Sequence, residues 1–217
     1  MPTQTRKPRK QTSRPRAAGR GRTKPRPDAI ALLKTDHKTV EKLFKRFEQA
    51  GDGAKKQKRT IVDEIIVELS QHAVIEEQVL YPWAREYIQG GEGDVLEAIE
   101  EHHVVKWLLW ELEDLSPDDE RFDAKVTVMI ESVRHHVKEE ESELFPDLRD
   151  VATRAELLEL GDALRAAKRR APTRPHPRGP DEPPANLVAA PIVAALDHAR
   201  ATGKGAVRRM GKGVRGS

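Results

Sequence analysis

Six ionisable side chains fall where this chain otherwise places apolar ones. Four stretches carry seam residues at alternating spacings of three and four: Ile30, Leu33, His37, Val40, Phe44 and Phe47; Ile65, Leu69, His72, Glu76, Val79 and Trp83; Val95, Ala98, His102, Val105, Leu109 and Leu112; and Phe122, Val126, Met129, Val133, His136 and Glu140. That spacing is the buried seam of an antiparallel helical bundle. Each seam is interrupted once by a histidine, and the second and fourth also by a glutamate. Short connections make consecutive helices antiparallel neighbours. The sequence therefore predicts an all-α, up-down-up-down four-helix bundle.

Local signals set the boundaries. Asp28 opens the first helix, which runs to about Gln49 and is ended by "GDG". The second spans about Lys55 to Gln89, with Pro82 ending or kinking it, and the third spans Asp94 to Leu115. "SPDDE" supplies a cap and a first-turn proline for the fourth, which reaches Phe145 before Pro146. "TRAELLEL" reads as a capping box opening a short fifth helix to about Ala167. This gives a bundle over 28–167, a disordered basic arm over 1–27 and a Pro/Ala/Gly-rich basic tail over 168–217. Within the tail, "APTRPHPRGPDEPP" reads as a linker and "NLVAAPIVAALDHAR" as a short helix.

The interruptions repeat. "HAVIEEQVLYP" (72–82) and "HVKEEESELFP" (136–146) both fit H-x-x-x-E-E-x-x-L-[Y/F]-P, 64 residues apart, and "DHKTV" (36–40) matches "EHHVV" (101–105) at an offset of 65. Two helical hairpins are thus related by a pseudo-twofold axis. The alignment pairs His37 with His102 rather than His103, and His72 with His136 rather than His135.

An unpartnered buried carboxylate is costly and normally takes up a proton. Six ionisable residues on these seams mean a hydrogen-bonded network, helix faces that are not the buried ones, or a metal centre. Their twofold register favours metal, because neutral imidazoles and carboxylates are its ligands and a cation offsets their burial. Four imidazoles and two carboxylates overfill one tetrahedral zinc site. Two metals of about six-coordinate preference, sharing both glutamates and a solvent-derived oxygen, fit better. Open positions on a redox-capable pair point to O2, NO or peroxide rather than to a purely structural role.

These four motifs resemble the hemerythrin family, specifically its bacterial HHE cation-binding branch, over about residues 28–150. The resemblance implies a four-helix bundle around a non-haem di-iron centre, oxo- or hydroxo-bridged. It implies His37, His72, Glu76, His102, His136 and Glu140 as the ligands, with Glu76 and Glu140 bridging. Two positions depart from oxygen-carrying members of that family. Lys106 stands where they place a further histidine, and Glu140 where they use an aspartate. One iron thereby loses an imidazole, which points away from reversible O2 carriage and toward sensing, peroxide chemistry or iron handling.

Neighbouring residues receive plainer readings. Glu77 and Glu141 point about 100° away from the glutamates before them on an α-helix and read as solvated charge. His103 and His135 read as flank residues, Pro82 and Pro146 as helix terminators, and Trp107 and Trp110 as packing. Lys106 is placed near an open coordination position.

Charge is unevenly distributed. Residues 1–27 carry ten Lys or Arg and no acid, residues 28–167 carry 18 basic and 33 acidic residues, and residues 168–217 carry eleven basic and three acidic. Basic arms on an acidic body suit weak, sequence-tolerant binding of nucleic acid or another polyanion, with the bundle as scaffold or redox switch. The chain has no cysteine, which excludes disulfides and thiolate metal sites. No apolar run approaches the roughly 20 residues of a membrane span. A soluble, cytoplasmic protein is the expectation.

Overall fold

The computed structural model describes residues 26–191 together with 194, 195 and 197. Nearly all of the N-terminal arm and the end of the C-terminal tail lie outside the described residues.

Helix α1 (Ala29–Glu48) is opened by Asp28, whose carboxylate accepts from Ala31 N. Helix α2 (Lys55–Ile75) continues through a π-helical turn, Glu76–Leu80, into α3 (Tyr81–Tyr87). After α4 (Glu92–Asp114), helix α5 (Phe122–Glu139) continues through a second π-turn, Glu140–Leu144, into α6 (Phe145–Val151). These elements form the expected four-helix bundle, in which α2 packs on α1 and α4, and α4 on α5. Helix α7 (Arg154–Lys168) begins on the expected capping box, Thr153 with Glu156, and lies against α1 and α2. Its approach is close enough that a Cβ on Gly161 would sit 2.9 Å from Ala29 N.

Three expectations are corrected. Pro82 and Pro146 terminate nothing, because the helix runs on through both. In an α-helix a proline loses its hydrogen bond to residue i−4 and its ring collides with that carbonyl. Here a π-turn precedes each proline, and its i→i−5 bonds (Tyr81 N to Glu76 O, Phe145 N to Glu140 O) insert one residue and relieve the clash. The inserted residue also shifts the seam. Past Glu76 the buried positions are Leu80, Ala84 and Ile88, whereas Val79 and Trp83 are only half-buried. Finally, Pro117 does not open α5. Residues 116–121 form turns, in which Ser116 Oγ accepts from Asp118 N and Asp119 Oδ1 from Arg121 N.

The core is divided. One apolar cluster, containing Phe44, Ile65, Leu109 and Met129, fills the end of the bundle beyond Val40, Leu69, Val105 and Val133. A second, containing Leu33, Leu80, Val95 and Leu160, fills the other end and reaches under α7. The histidines and glutamates of all four seams lie between the two clusters.

Residues 171–191, expected as linker and short helix, lie against the bundle as a strap. Ala171 is buried, Arg178 stacks over Trp107 and Trp110 at 5.7 and 5.9 Å, and a helix begins at Ala185. Trp107 thus packs, as expected, with the strap as its partner, whereas Trp110 remains 45% exposed beside it.

Candidate metal centre

The bundle brings the six seam residues into one buried layer, each no more than 5% exposed. His37 Nε2 lies 3.2 Å from His72 Nε2 and 3.3 Å from Glu140 Oε2, and His72 Nε2 lies 3.2 Å from Glu76 Oε1. Across the layer His102 Nε2 lies 3.1 Å from His136 Nε2 and 3.5 Å from Glu76 Oε2, and His136 Nε2 lies 3.7 Å from Glu140 Oε2. Each glutamate therefore touches both histidine pairs. The helical i, i+4 spacing places Glu76 beside His72 and Glu140 beside His136, and antiparallel packing brings in the other hairpin.

All four rings turn Nε2 inward because carboxylates stand behind them. Nδ1 of His37 faces Glu141 at 3.0 Å, that of His102 faces Glu77 at 3.1 Å, and that of His136 faces Glu101 at 2.7 Å. Nδ1 of His72 faces Asp36 at a looser 3.7 Å, while Lys168 Nζ is 2.8 Å from the same Asp36 oxygen. A ring that gives its Nδ1 proton to a carboxylate presents a lone pair on Nε2, the form a metal needs. Glu77 and Glu141 are thus not simply solvated. Glu77 continues the line of buried Ser70 and Ala73 at spacings of three and four, so it faces α4 and His102 rather than solvent. The doubled "EE" and the acid before each first histidine ("DH", "EH") were the signals available in the sequence.

Burial, and then Glu140, push the Glu76 carboxyl well above the carboxylate range. Burial pulls Glu140 the same way, yet the imidazoles of His136 and His37 bring it down to about 2. Burial also pushes His102 well down and His72 down. Burial opposes charge on His136 too, but Glu140 and Glu101 lift it above the ordinary histidine value.

Residues 28–148 match the family model of the hemerythrin HHE cation binding domain. The chain belongs to the hemerythrin HHE cation-binding family. It is 28% identical over 167 residues to an uncharacterized hemerythrin-like protein of Schizosaccharomyces pombe, covering 76% of this chain and 81% of that one. It is 33% identical over 137 residues, 63% of its own length, to a DNA nickase of a Nostoc species, of whose length the match covers 38%. The crystal structure of a hemerythrin HHE cation binding domain-containing protein from Mycobacterium kansasii shares the fold, with a TM-score of 0.56 at 24% identity over 65% of this chain and 85% of that one.

Within this hemerythrin-like bundle the repeat breaks at two places. The aromatic of L-[Y/F]-P is Tyr81 in one copy, and sequence reasoning assigned it no role. Its buried hydroxyl lies 3.2 Å from His102 Nε2 and donates to Glu140 Oε1 at 3.1 Å. Its counterpart Phe145 stacks on His37, with ring centroids 5.8 Å apart and planes 7° apart. The second break is Lys106, which aligns with Glu41. Its Nζ is bound by Glu77, at 2.7 and 2.8 Å, and by Asp181 of the strap at 2.5 Å. His103 also turns to Asp181, at 3.3 Å, and His135 is exposed.

Proposed function

We propose that the chain holds two iron ions, with His37, His72, His102 and His136 as terminal ligands and Glu76 and Glu140 as bridges. The centre binds, senses or processes O2, NO or peroxide. One observation carries this reading: three buried carboxylate oxygens lie without a hydrogen bond among imidazole nitrogens that face one another. Glu76 Oε1, Glu76 Oε2 and Glu140 Oε2 are buried without a hydrogen bond, and Nε2 faces Nε2 in both histidine pairs. A hydrogen-bonded network would set donors against acceptors. Unpartnered carboxylate oxygens beside converging imidazoles suit cations between them.

An iron pair supplies redox chemistry and open coordination positions for a small ligand. The chain supplies the surroundings. The outer carboxylates orient the rings. Tyr81, whose phenol is pushed upward by burial and by Glu140, holds a proton beside the cage. An apolar cavity of about 30 Å3 lies against the four histidines, walled in part by Val40, Leu69, Val105 and Val133. That is room for about one water-sized molecule. Metal analysis of protein purified in air tests the proposal, with about two irons per chain expected. Stopped-flow spectra of the reduced protein with O2, NO and hydrogen peroxide then identify the ligand. Stoichiometric zinc, or no metal, refutes the proposal.

A second reading is nucleic-acid association through the arms. It draws on the ten basic and no acidic residues in 1–27 and on the nickase relative. DNA binding that falls steeply with salt for the full chain, and is lost in residues 26–197, supports it. Equal binding by both forms removes the arms from the reading. No helix among the described residues is long and apolar enough to cross a membrane.

A further inference from the structure

Between α4 and the junction of α5 with α6 lies a cleft of about 70 Å3. Its walls are carboxylates. Asp94, Glu97 and Glu101 follow one another at spacings of three and four along α4, and Glu139 and Glu143 stand opposite, one turn apart. Also lining it are His136 and Glu140 of the cage. Glu140 is 3% exposed, and its Oε2 has no hydrogen-bond partner.

Among the described residues, none of the five wall carboxylates is paired with a lysine or arginine; only His135 and His136 meet Glu101 or Glu139. Crowded like charges oppose folding. Asp94, in the first turn of α4, is favoured there by the helix dipole. The others have no such reason.

The rim holds a second donor group. His135 Nε2 lies 3.2 Å from Glu139 Oε1 and 3.7 Å from Glu101 Oε1, close enough for the three to share one cation. Glu101 connects this group to the cage, since its other oxygen is 2.7 Å from His136 Nδ1. Other approaches mix the two signs, with Glu41 and Glu141, Glu77, or Glu86 and Glu182 set among basic residues. Lys38, Arg134 and Lys138 edge the groove between α1 and α5, and Lys106 and Arg174 line the cavity under the strap.

We infer that this cleft is the loading path for the metal. It concentrates a divalent cation at Glu101, His135 and Glu139 and delivers it inward to Glu140. The inference rests on the cage being the metal site, as proposed above.

The test mixes metal-free full-length protein with Co2+ in a stopped-flow instrument and follows the visible ligand-field absorption. The variant combines Glu97→Gln with Glu143→Gln, neither of which is hydrogen-bonded to another side chain among the described residues. Focusing by charged clefts alters on-rates by about 10- to 1000-fold, so the double variant should load at least about tenfold more slowly at low ionic strength. Its final stoichiometry should equal wild type, and high salt should shrink the difference. Lys38→Gln with Lys138→Gln, at the opposite groove, should not slow loading. Equal rates for wild type and the acidic-wall variant at low salt overturn the path. So does a reduced end point in a variant that keeps its helical circular dichroism, because the carboxylates are then part of the equilibrium site. A wild-type protein that takes up no Co2+ overturns the metal reading itself, and the path with it.

Discussion

One half of the centre lies under Phe145 and the other under Tyr81. Both halves consist of two facing imidazoles, each backed by a carboxylate, and the same pair of glutamates touches both. What differs is how each outer carboxylate is held. Glu141, behind His37, is a third exposed and paired with Lys34 at 3.1 Å. Glu77, behind His102, is 3% exposed and enclosed by Lys106 and, through it, Asp181. The repeat built a symmetric cage, and the strap together with two substitutions made the surroundings of His102 drier and more polar than those of His37. In the proposed centre the halves differ in their surroundings while sharing their bridges.

The comparison breaks most severely at the bridges. Glu76→Ala or Glu140→Ala removes a donor from both halves at once. Loading should fall from about two metals per chain to near none. Metal analysis after reconstitution checks this, and one metal retained at full occupancy would show that the halves load independently.

Stability against pH should separate the outer carboxylates by sign. Burial raises Glu77 to about 7, against the attraction of Lys106, from an ordinary value of 4.5. The folded metal-free protein therefore holds that proton more tightly than the unfolded chain. The stability this adds is full below about 4.5 and lost as pH rises through about 7, a change of about 3 kcal/mol. Relative to Glu77→Gln, metal-free wild type should weaken by about that amount between the two pH values in denaturant titrations. Burial opposes ionisation of Glu141, but His37 and Lys34 lower it, so its contribution is present above 4.5 and lost as pH falls. Solvent screening keeps that contribution under about 1 kcal/mol. A pH-independent gap between wild type and Glu77→Gln would contradict the buried half as described.

These differences mark how far the sequence could be read. The bundle and the convergence of six seam residues followed from a spacing of three and four and from a doubled motif, both properties of an ordinary α-helix. What escaped was set where the helix is not ordinary. A π-turn moves the seam from Val79 to Leu80, which a 3.6-residue period cannot foresee, whereas Glu77 was legible on the line of Ser70 and Ala73 and was passed over. The strap escaped for another reason. Its proline-rich composition reads as linker, and its attachment depends on Arg178 over two tryptophans and Asp181 on Lys106, contacts with no local periodicity.

Affinity should separate the halves next. Removing the carboxylate behind a metal-bound histidine lowers affinity by roughly 10- to 100-fold. Glu77→Gln should weaken the His102–His136 half by that factor. Glu141→Gln should cost the other half less than about tenfold, because water reaches its place. Chelator competition with Co2+ measures both, and equal losses would mean that burial of the outer carboxylate has no bearing on affinity.

The smallest effect should come from making the two aromatic caps alike. Tyr81→Phe leaves the ring in place and removes only a hydroxyl. In the metal-free protein that hydroxyl is the donor to Glu140 Oε1, at 3.1 Å. Its loss leaves a buried carboxylate oxygen without a partner, at a cost of about 1 kcal/mol or somewhat more. If Glu140 holds metal as proposed, that oxygen would gain a cation beside it, and the same substitution should cost less. Thermal unfolding with and without bound iron should therefore show a larger drop for the metal-free variant, while the number of irons per chain stays unchanged. Equal drops in both forms would mean that the tyrosine hydroxyl keeps its own partner in the loaded site, and the difference between the halves would then extend to the ligands themselves.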